Sequence, residues 1–311
     1  MIIVVVPNPA LDKTIVLPGF KVGQIHRARE VLTLAGGKGF NFARALQTLG
    51  EPVSVIGPIG GYAGQRLLAL AAQEGIAVDP QPVDAELRTC LTVIDPQEQY
   101  RLTEIYEQGV PLSVDEWSAL VRRVGSTIER GDMLVLCGSL PPGTPEGGLA
   151  ALLQQATDAP IWLDTHGSQV AGVLALRPAL LKINQFEASE LLDRRIATPM
   201  QALEAAVDLQ QRGAQSVIIS LGATGIVGRS SDGQPFSWSS PHVDVVCATG
   251  SGDSLLAGIA AGIARGQALA EAARLGVAAG AANTLQIGAG RLDPQSVERL
   301  LPAVQPIRME D

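Results

Sequence analysis

Short runs of aliphatic and β-branched residues alternate along the chain with longer stretches whose apolar positions recur at helical spacing. That alternation predicts a parallel sheet with helices on both faces. The runs Ile2–Val6, Val53–Gly57, Met133–Cys137, Ile161–Asp164, Leu180–Ile183 and Val217–Ser220 are almost unbroken apolar segments. A strand shielded on both faces has no solvent side to mark with polar residues, so these are the predicted central strands. Helices are predicted near Lys38–Leu49, Gln65–Glu74, Val114–Glu129, Pro145–Ala156, Gln185–Leu192 and Met200–Arg212, with Gly50 and Gly213 supplying left-handed caps. Segments 10–33 and 88–107 interrupt this rhythm and are β-rich. In the second, Thr89–Asp95 can pair with Tyr100–Glu107 across the Pro96–Gln99 turn, which predicts a small sheet lying over the main one as a lid. Two Ala/Gly-rich helices are expected near 252–265 and 268–286, their small residues allowing close packing.

Composition narrows the classes. With 311 residues, 46% of them apolar and 17% charged, the chain can bury a large core, which excludes disorder and suits one large α/β domain with an appendage or two average domains. The net charge of −8 argues against nucleic acid or an anionic membrane as partner, though not against a local anion pocket. Cys90, Cys137 and Cys247 lie far apart, with no disulfide framework or zinc-ligand spacing, so reduced, buried thiols in a cytoplasmic protein are expected. No run reaches the ~18 apolar residues of a membrane helix.

The common nucleotide and hydrolase signatures are absent. There is no P-loop, no G-x-G-x-x-G opening a helix after the first strand, and no G-x-S-x-G elbow. What is present is Ala248-Thr-Gly-Ser-Gly-Asp-Ser254 ahead of an apolar helix. Small residues let the N–H groups of Gly250, Ser251 and Gly252 converge, and the helix start adds partial positive charge, so an anion hole is predicted. A carboxylate in that first turn would repel a resting phosphate. Asp253 either caps its helix or takes the proton from a hydroxyl that attacks a phosphoryl group held there. A second glycine stretch, Ala35-Gly-Gly-Lys-Gly-Phe-Asn41, is either a Gly-rich turn with a solvated lysine or a ligand cradle with Lys38 and Asn41 on one side. Asn8-Pro-Ala-Leu-Asp12 and Gly138-Ser-Leu-Pro-Pro-Gly143 each leave a predicted strand at its carboxyl end, where open α/β sheets collect ligands.

Together NPALD, GGKGFN, GSLPPG, SLGATG and TGSGDS, in that order from Ile3 to about Gly288, resemble the PfkB/ribokinase family of carbohydrate kinases, in particular its 1-phosphofructokinase and tagatose-6-phosphate kinase branch. The resemblance implies a ribokinase-like three-layer α/β/α fold, one kinase domain over 1–311 with a lid from 10–33 and 88–107, and a homodimer through the lid. It also implies ATP as donor, Mg2+, and a phosphosugar acceptor. By resemblance, Asp12, Gly37, Lys38 and Asn41 line the sugar pocket, while Arg88 and Ser139 contact the phosphate already on the substrate. Lys182 and Asn184 would lie near the nucleotide phosphates, Glu187 of the N-x-x-E element would serve Mg2+, and Ser220, Leu221, Gly222, Ala223, Thr224 and Gly225 would form the ATP loop. Gly252 and Asp253 would complete the nucleotide site, with Asp253 as base.

The chain departs from the family pattern at Ile183, usually proline, and at Ser251, usually alanine. Basic His26 and Arg27 fall in the lid segment. The expected reaction is transfer of the ATP γ-phosphoryl group to a ketose phosphate, fructose 1-phosphate first, then tagatose 6-phosphate or fructose 6-phosphate. A kinase of an unphosphorylated sugar or nucleoside, and a catalytically idle sugar-nucleotide sensor, are the rival readings.

Overall fold

In the computed structural model, which describes residues 1–308, the run Ile2–Val5 sits deep within a nine-stranded sheet. In spatial order the strands are Pro235–Ser239, Gly225–Arg229, Val217–Ser220, Leu180–Asn184, Ile161–Asp164, Met133–Cys137, Ile2–Val5, Val53–Ile59 and Ala77–Pro82. All six strands expected from unbroken apolar runs are neighbours in the middle of this sheet, and they are parallel. The period of two divides them between two cores. Ile2, Val4 and Val6 pack on one face with the Ser251–Ala264 helix, and Ile3 and Val5 pack on the other with Leu120, Leu149 and Leu209.

Three strands carry no such signal. Ala77–Pro82 holds two prolines, which an edge strand tolerates. Gly225–Arg229 and Pro235–Ser239 form an antiparallel extension at the opposite edge. The helix expected over Pro145–Ala156 is shorter, Gly148–Leu153, because Gly147 precedes it in the left-handed region at φ 69°. Helices Ser168–Val173 and Pro294–Leu300 were not expected.

The β-rich segments make a second sheet of Glu30–Gly36, Ala10–Val16, Arg88–Asp95 and Arg101–Tyr106. The expected hairpin is present, running from Cys90 opposite Tyr106 to Asp95 opposite Arg101. The central pair, Ala10–Val16 with Arg88–Asp95, is parallel, so the sheet is mixed. Its first segment extends beyond residue 33 to Gly36, and leads directly into the helix Lys38–Thr48.

Helices Ser251–Ala264 and Leu269–Thr284 pack as closely as their composition suggested: a methyl group added to Gly258 would lie 2.7 Å from the Cα of Gly276. No described helix is long and apolar enough to cross a membrane. Cys90, Cys137 and Cys247 are buried free thiols.

Candidate active site

Because the central strands are parallel, their carboxyl ends share one edge. Registry levels Asn184 with Ser220 and Asp164 with Cys137, so neighbouring strands deliver a row of polar ends from Ser220 to Ser139. The second sheet covers this edge. Its alternation turns Asp12, Thr14, Cys90, Thr92, Glu104 and Tyr106 inward, where they line a cleft of about 510 Å³. The opposite wall holds Gly37, Lys38, Asn41, Ser139, Lys182, Asn184, Gly250, Gly252 and Asp253, with Arg88 at the end of the second sheet. Motifs separated by more than 200 residues thus meet in one cavity.

A second cleft of about 350 Å³ adjoins it at Gly252. Ser220, Gly222, Ala223, Gly225, Ser251 and Gly252 line it, with apolar Ile226, Val243, Val245, Leu255 and Val277. Leu221 and Thr224 stand outside that wall: Leu221 is buried in the core, and both belong to the tight turn joining Val217–Ser220 to Gly225–Arg229. Glu187 lines neither cleft but a smaller hollow with Thr165 and His166.

The glycine-rich stretch leads into a helix start as its sequence suggested, but the Ser251 N–H expected in the anion hole instead donates to Ala248 O at 3.2 Å, closing the turn that enters the helix. Gly250 is the N-cap of the 14-residue helix Ser251–Ala264 and has φ 83°. Only glycine fits, since a Cβ would lie 2.6 Å from Gly290 N and 2.7 Å from Ala289 Cβ, besides the strain at that φ. Asp253 does not cap this helix, for the cap has no side-chain hydrogen bond. Its carboxylate turns to Asn41, whose Nδ2 donates to Oδ2 at 2.9 Å, and it is 6% exposed. Burial, then the nearby Asp164 carboxylate, push the Asp253 carboxyl up to about 6, against the pull of Lys38, Lys182 and the Asn41 hydrogen bond.

Asp164 is the chief site residue that motif reading passed over. It ends the strand Ile161–Asp164, fully buried, and accepts from Lys182 Nζ at 2.8 Å and Lys38 Nζ at 3.2 Å. Burial opposes its charge, but the two ammonium groups prevail and hold its carboxyl below the usual range. Lys38 also reaches Glu187 Oε1 at 3.3 Å. Burial would lower the Lys38 ammonium, but Asp164, Glu187 and Asp253 raise it overall, so it stays charged. Lys182 Nζ lies 3.1 Å from where a Cβ on Gly252 would stand, which places its charge at the anion hole. A carboxylate ending an otherwise apolar core strand was the one available signal for Asp164.

On the far side, burial raises the Asp12 carboxyl, opposed first by the Gly37 N–H, which donates to Oδ2 at 3.3 Å, and then by Arg44 and Arg88. Arg88 donates through Nη2 to Asn8 O at 3.2 Å and through Nη1 to Glu107 O at 3.4 Å, while its buried Nε has no partner. Asn8 Nδ2 donates to Ser139 Oγ at 3.1 Å. Glu104 Oε1 accepts from Thr249 Oγ1 at 3.0 Å, tying the covering sheet to the anion-hole loop.

Asn184 and Glu187 form a reciprocal capping box: Asn184 Oδ1 accepts from the N–H groups of Phe186 and Glu187 at 2.9 Å each, and Glu187 Oε2 accepts from Asn184 N–H at 2.9 Å. Ile183 is buried in the core layer opposite the cleft that Lys182 and Asn184 line, and lines instead the smaller hollow with Glu187.

A helix start with the Lys182 ammonium beside it and a buried carboxylate whose pKa is pushed up is the equipment of an enzyme that moves a phosphoryl group to an alcohol. The sequence profile of the pfkB family carbohydrate kinases matches residues 8–296, and the chain belongs to that family. It is an ATP-dependent carbohydrate kinase of ribokinase-like fold. It is similar to phosphofructokinase-2 from Escherichia coli, at 30% identity over 97% of this chain and 98% of that one, with TM-score 0.89 for the potassium complex and 0.87 for the fructose-6-phosphate complex. A possible 1-phosphofructokinase from Thermotoga maritima matches at 23% identity over 99% of this chain and 100% of that one, TM-score 0.88, a likeness of fold.

Proposed function

We propose that this sugar kinase phosphorylates a ketose phosphate, with fructose 1-phosphate as the first acceptor to consider and fructose 1,6-bisphosphate as product. The observation that carries the proposal is Arg88: a guanidinium whose buried Nε lacks a partner, lining the same cleft as Asp12 and Asp253. A donor of that kind needs an acceptor, and a substrate phosphate supplies one by a charge-assisted bond. Ser139 stands across from it, held by Asn8. Fructose 6-phosphate is the second reading, favoured by the 30% identity to an enzyme with a fructose-6-phosphate complex; tagatose 6-phosphate is the third. The unpaired Arg88 nitrogen weighs against an unphosphorylated acceptor, and the ionisable Asp253 at the anion hole against an idle sensor.

ATP would occupy the second cleft, its adenosine against Val243, Val245 and Leu255 and its phosphates toward Gly252, where the two cavities meet. Asp12, with Gly37, Lys38 and Asn41, would orient the sugar so that one hydroxyl faces Asp253. Asp253 takes that proton as the oxygen attacks, and the N–H groups of Gly250, Gly252 and Asp253 receive the transferring charge with Lys182. Mg2+ keeps water and phosphate oxygens and needs only one or two carboxylates. No cluster of three ligating side chains exists among the described residues, and Glu187 lies outside both clefts with its oxygens engaged by Lys38 and the Asn184 N–H, so an ion at the reacting phosphates would be carried chiefly by phosphate oxygens and water. Bound there, Mg2+ would neutralise phosphate charge.

The four-stranded sheet would serve as a lid that excludes water from the transfer. Its outer face presents Val31 (52% exposed) and Ile105 (56%) in the same rows as Ile15 and Leu91, an apolar surface suited to a homodimer through the lid. Release of ADP measured over fructose 1-phosphate, tagatose 6-phosphate, fructose 6-phosphate, fructose and ribose tests the assignment. Fastest turnover on fructose or ribose would remove the phosphosugar reading, and turnover on none of the five would remove the kinase of ketoses altogether.

A further inference from the structure

Arg44 lies in the helix Lys38–Thr48, one turn beyond Asn41, with 5% of its surface exposed. Burying a guanidinium is costly unless its donors are matched, and an aliphatic residue would fill the space at lower cost. All five N–H groups have acceptors. Nε donates to Glu74 Oε1 at 2.6 Å and Nη2 to Glu74 Oε2 at 2.8 Å. The remaining donors turn to the site: Nη2 to Ala35 O at 2.6 Å, and Nη1 to Ala289 O at 2.9 Å and Asn41 Oδ1 at 3.2 Å.

Those three acceptors are not ordinary neighbours. Ala35 is the last residue but one of the strand Glu30–Gly36, which carries the covering sheet into Gly37 at the helix start. Ala289 is the residue against which Gly250, the N-cap of the anion-hole helix, is packed. Asn41 is the sole side-chain hydrogen-bond donor to Asp253 found among the described residues. An asparagine amide has two orientations, and either could face a carboxylate; arginine, having donors only, settles which one does. With Oδ1 turned to Arg44, Nδ2 must point to Asp253.

We propose that Arg44 is a positioning residue for phosphoryl transfer, fixing the Asn41 amide so that Asp253 always meets an N–H and never a carbonyl oxygen. The inference rests on Asp253 acting as base. Without Arg44 the amide is free to turn, the carboxylate faces a carbonyl dipole part of the time, and its protonated form gains. The other charged groups facing Asp253, namely Asp164 and Lys182 from the sheet and Lys38 from the same helix as Arg44, are untouched by the change.

The test is the pH profile of kcat/KM for Arg44→Met, with folding checked by thermal melting. The expected result is a fall in kcat of about tenfold or more, as one misplaced group can cause, with the acid-side inflection moved to higher pH. In an Asn41→Ala background the same substitution should move the inflection no further. Glu74→Gln, which leaves the Arg44–Asn41 bond in place, should lower the melting temperature yet keep the parent's inflection. Should Arg44→Met not fold, Arg44→Lys keeps the charge beside Glu74 but lacks the fork that spans to Asn41, and is read the same way. An unmoved inflection in the folded variant, or an equal displacement when Asn41 is already alanine, overturns the role of Arg44. Undiminished turnover in Asp253→Asn would instead overturn the base assignment beneath it.

Discussion

The two clefts that meet at Gly252 are built from different materials. The larger is walled by side chains that carry charge: Asp12 and Arg88 from the covering sheet, and Lys38, Lys182 and Asp253 from the main body. The smaller is walled by glycine, alanine, valine and leucine, with Ser220, Ser240, Ser251 and Thr284 among the few hydroxyls. A surface that must tell one phosphorylated sugar from another needs fixed charges and directed donors, because a missing hydrogen bond discriminates far more strongly than a small difference in shape. A surface that holds an aromatic base can rely on apolar contact and backbone. The contrast predicts that single side-chain changes matter greatly in the first cleft and little in the second.

The largest effect should come where the clefts join. Asp253→Asn is expected to lower kcat by about 10²–10⁴-fold, the range for loss of a general base, with ATP binding retained in equilibrium titration. Loss of ATP affinity to the same degree would mean that Asp253 organises the nucleotide, and would blur the division between the clefts. On the charged side, Arg88→Ala should raise KM for the ketose phosphate by about 10–150-fold, matching about 1.5–3 kcal/mol for a charge-assisted bond. KM for ATP should hold. An equal KM for parent and variant would leave the unpaired Nε without its proposed acceptor.

The pH profile sharpens the same boundary. Asp253 must be ionised to accept a proton, and its carboxyl is pushed up to about 6, so kcat/KM should fall about tenfold per unit as pH drops below about 6. An inflection near the ordinary aspartate range of about 4 would place the base in a more solvated setting than the buried one seen here. The smallest change is expected in the second cleft, where His242→Ala, an exposed substitution on its rim, should alter KM for ATP by no more than about twofold. A tenfold loss there would show that a side chain, not the apolar wall, grips the nucleotide.

Reduced to its local signals, the chain determines a good deal unaided. Unbroken apolar runs such as Val217–Ser220 can be satisfied only between two layers of helices, so the six central strands follow from composition and length. The glycines before Asp253 announce a tight helix entry, where Gly250 takes a positive φ, and the Thr89–Asp95 hairpin follows from its turn. Edge strands escape such reasoning, since Ala77–Pro82 is half-exposed and its pattern is weak.

What only the tertiary structure decided is which polar groups face one another. Asp253 has two local readings, helix cap or base, and the contact with Asn41, 212 positions away in sequence, takes its carboxylate off the cap and into the cleft. Asp164 looks like the end of a core strand until Lys38 and Lys182 close on it from two other elements. Arg44 looks like an ordinary helical arginine until burial forces each of its donors to find an acceptor. Propensity and periodicity are properties of neighbours along the chain, whereas charge, hydrogen-bond polarity and pKa depend on neighbours in space, and the fold alone supplies those.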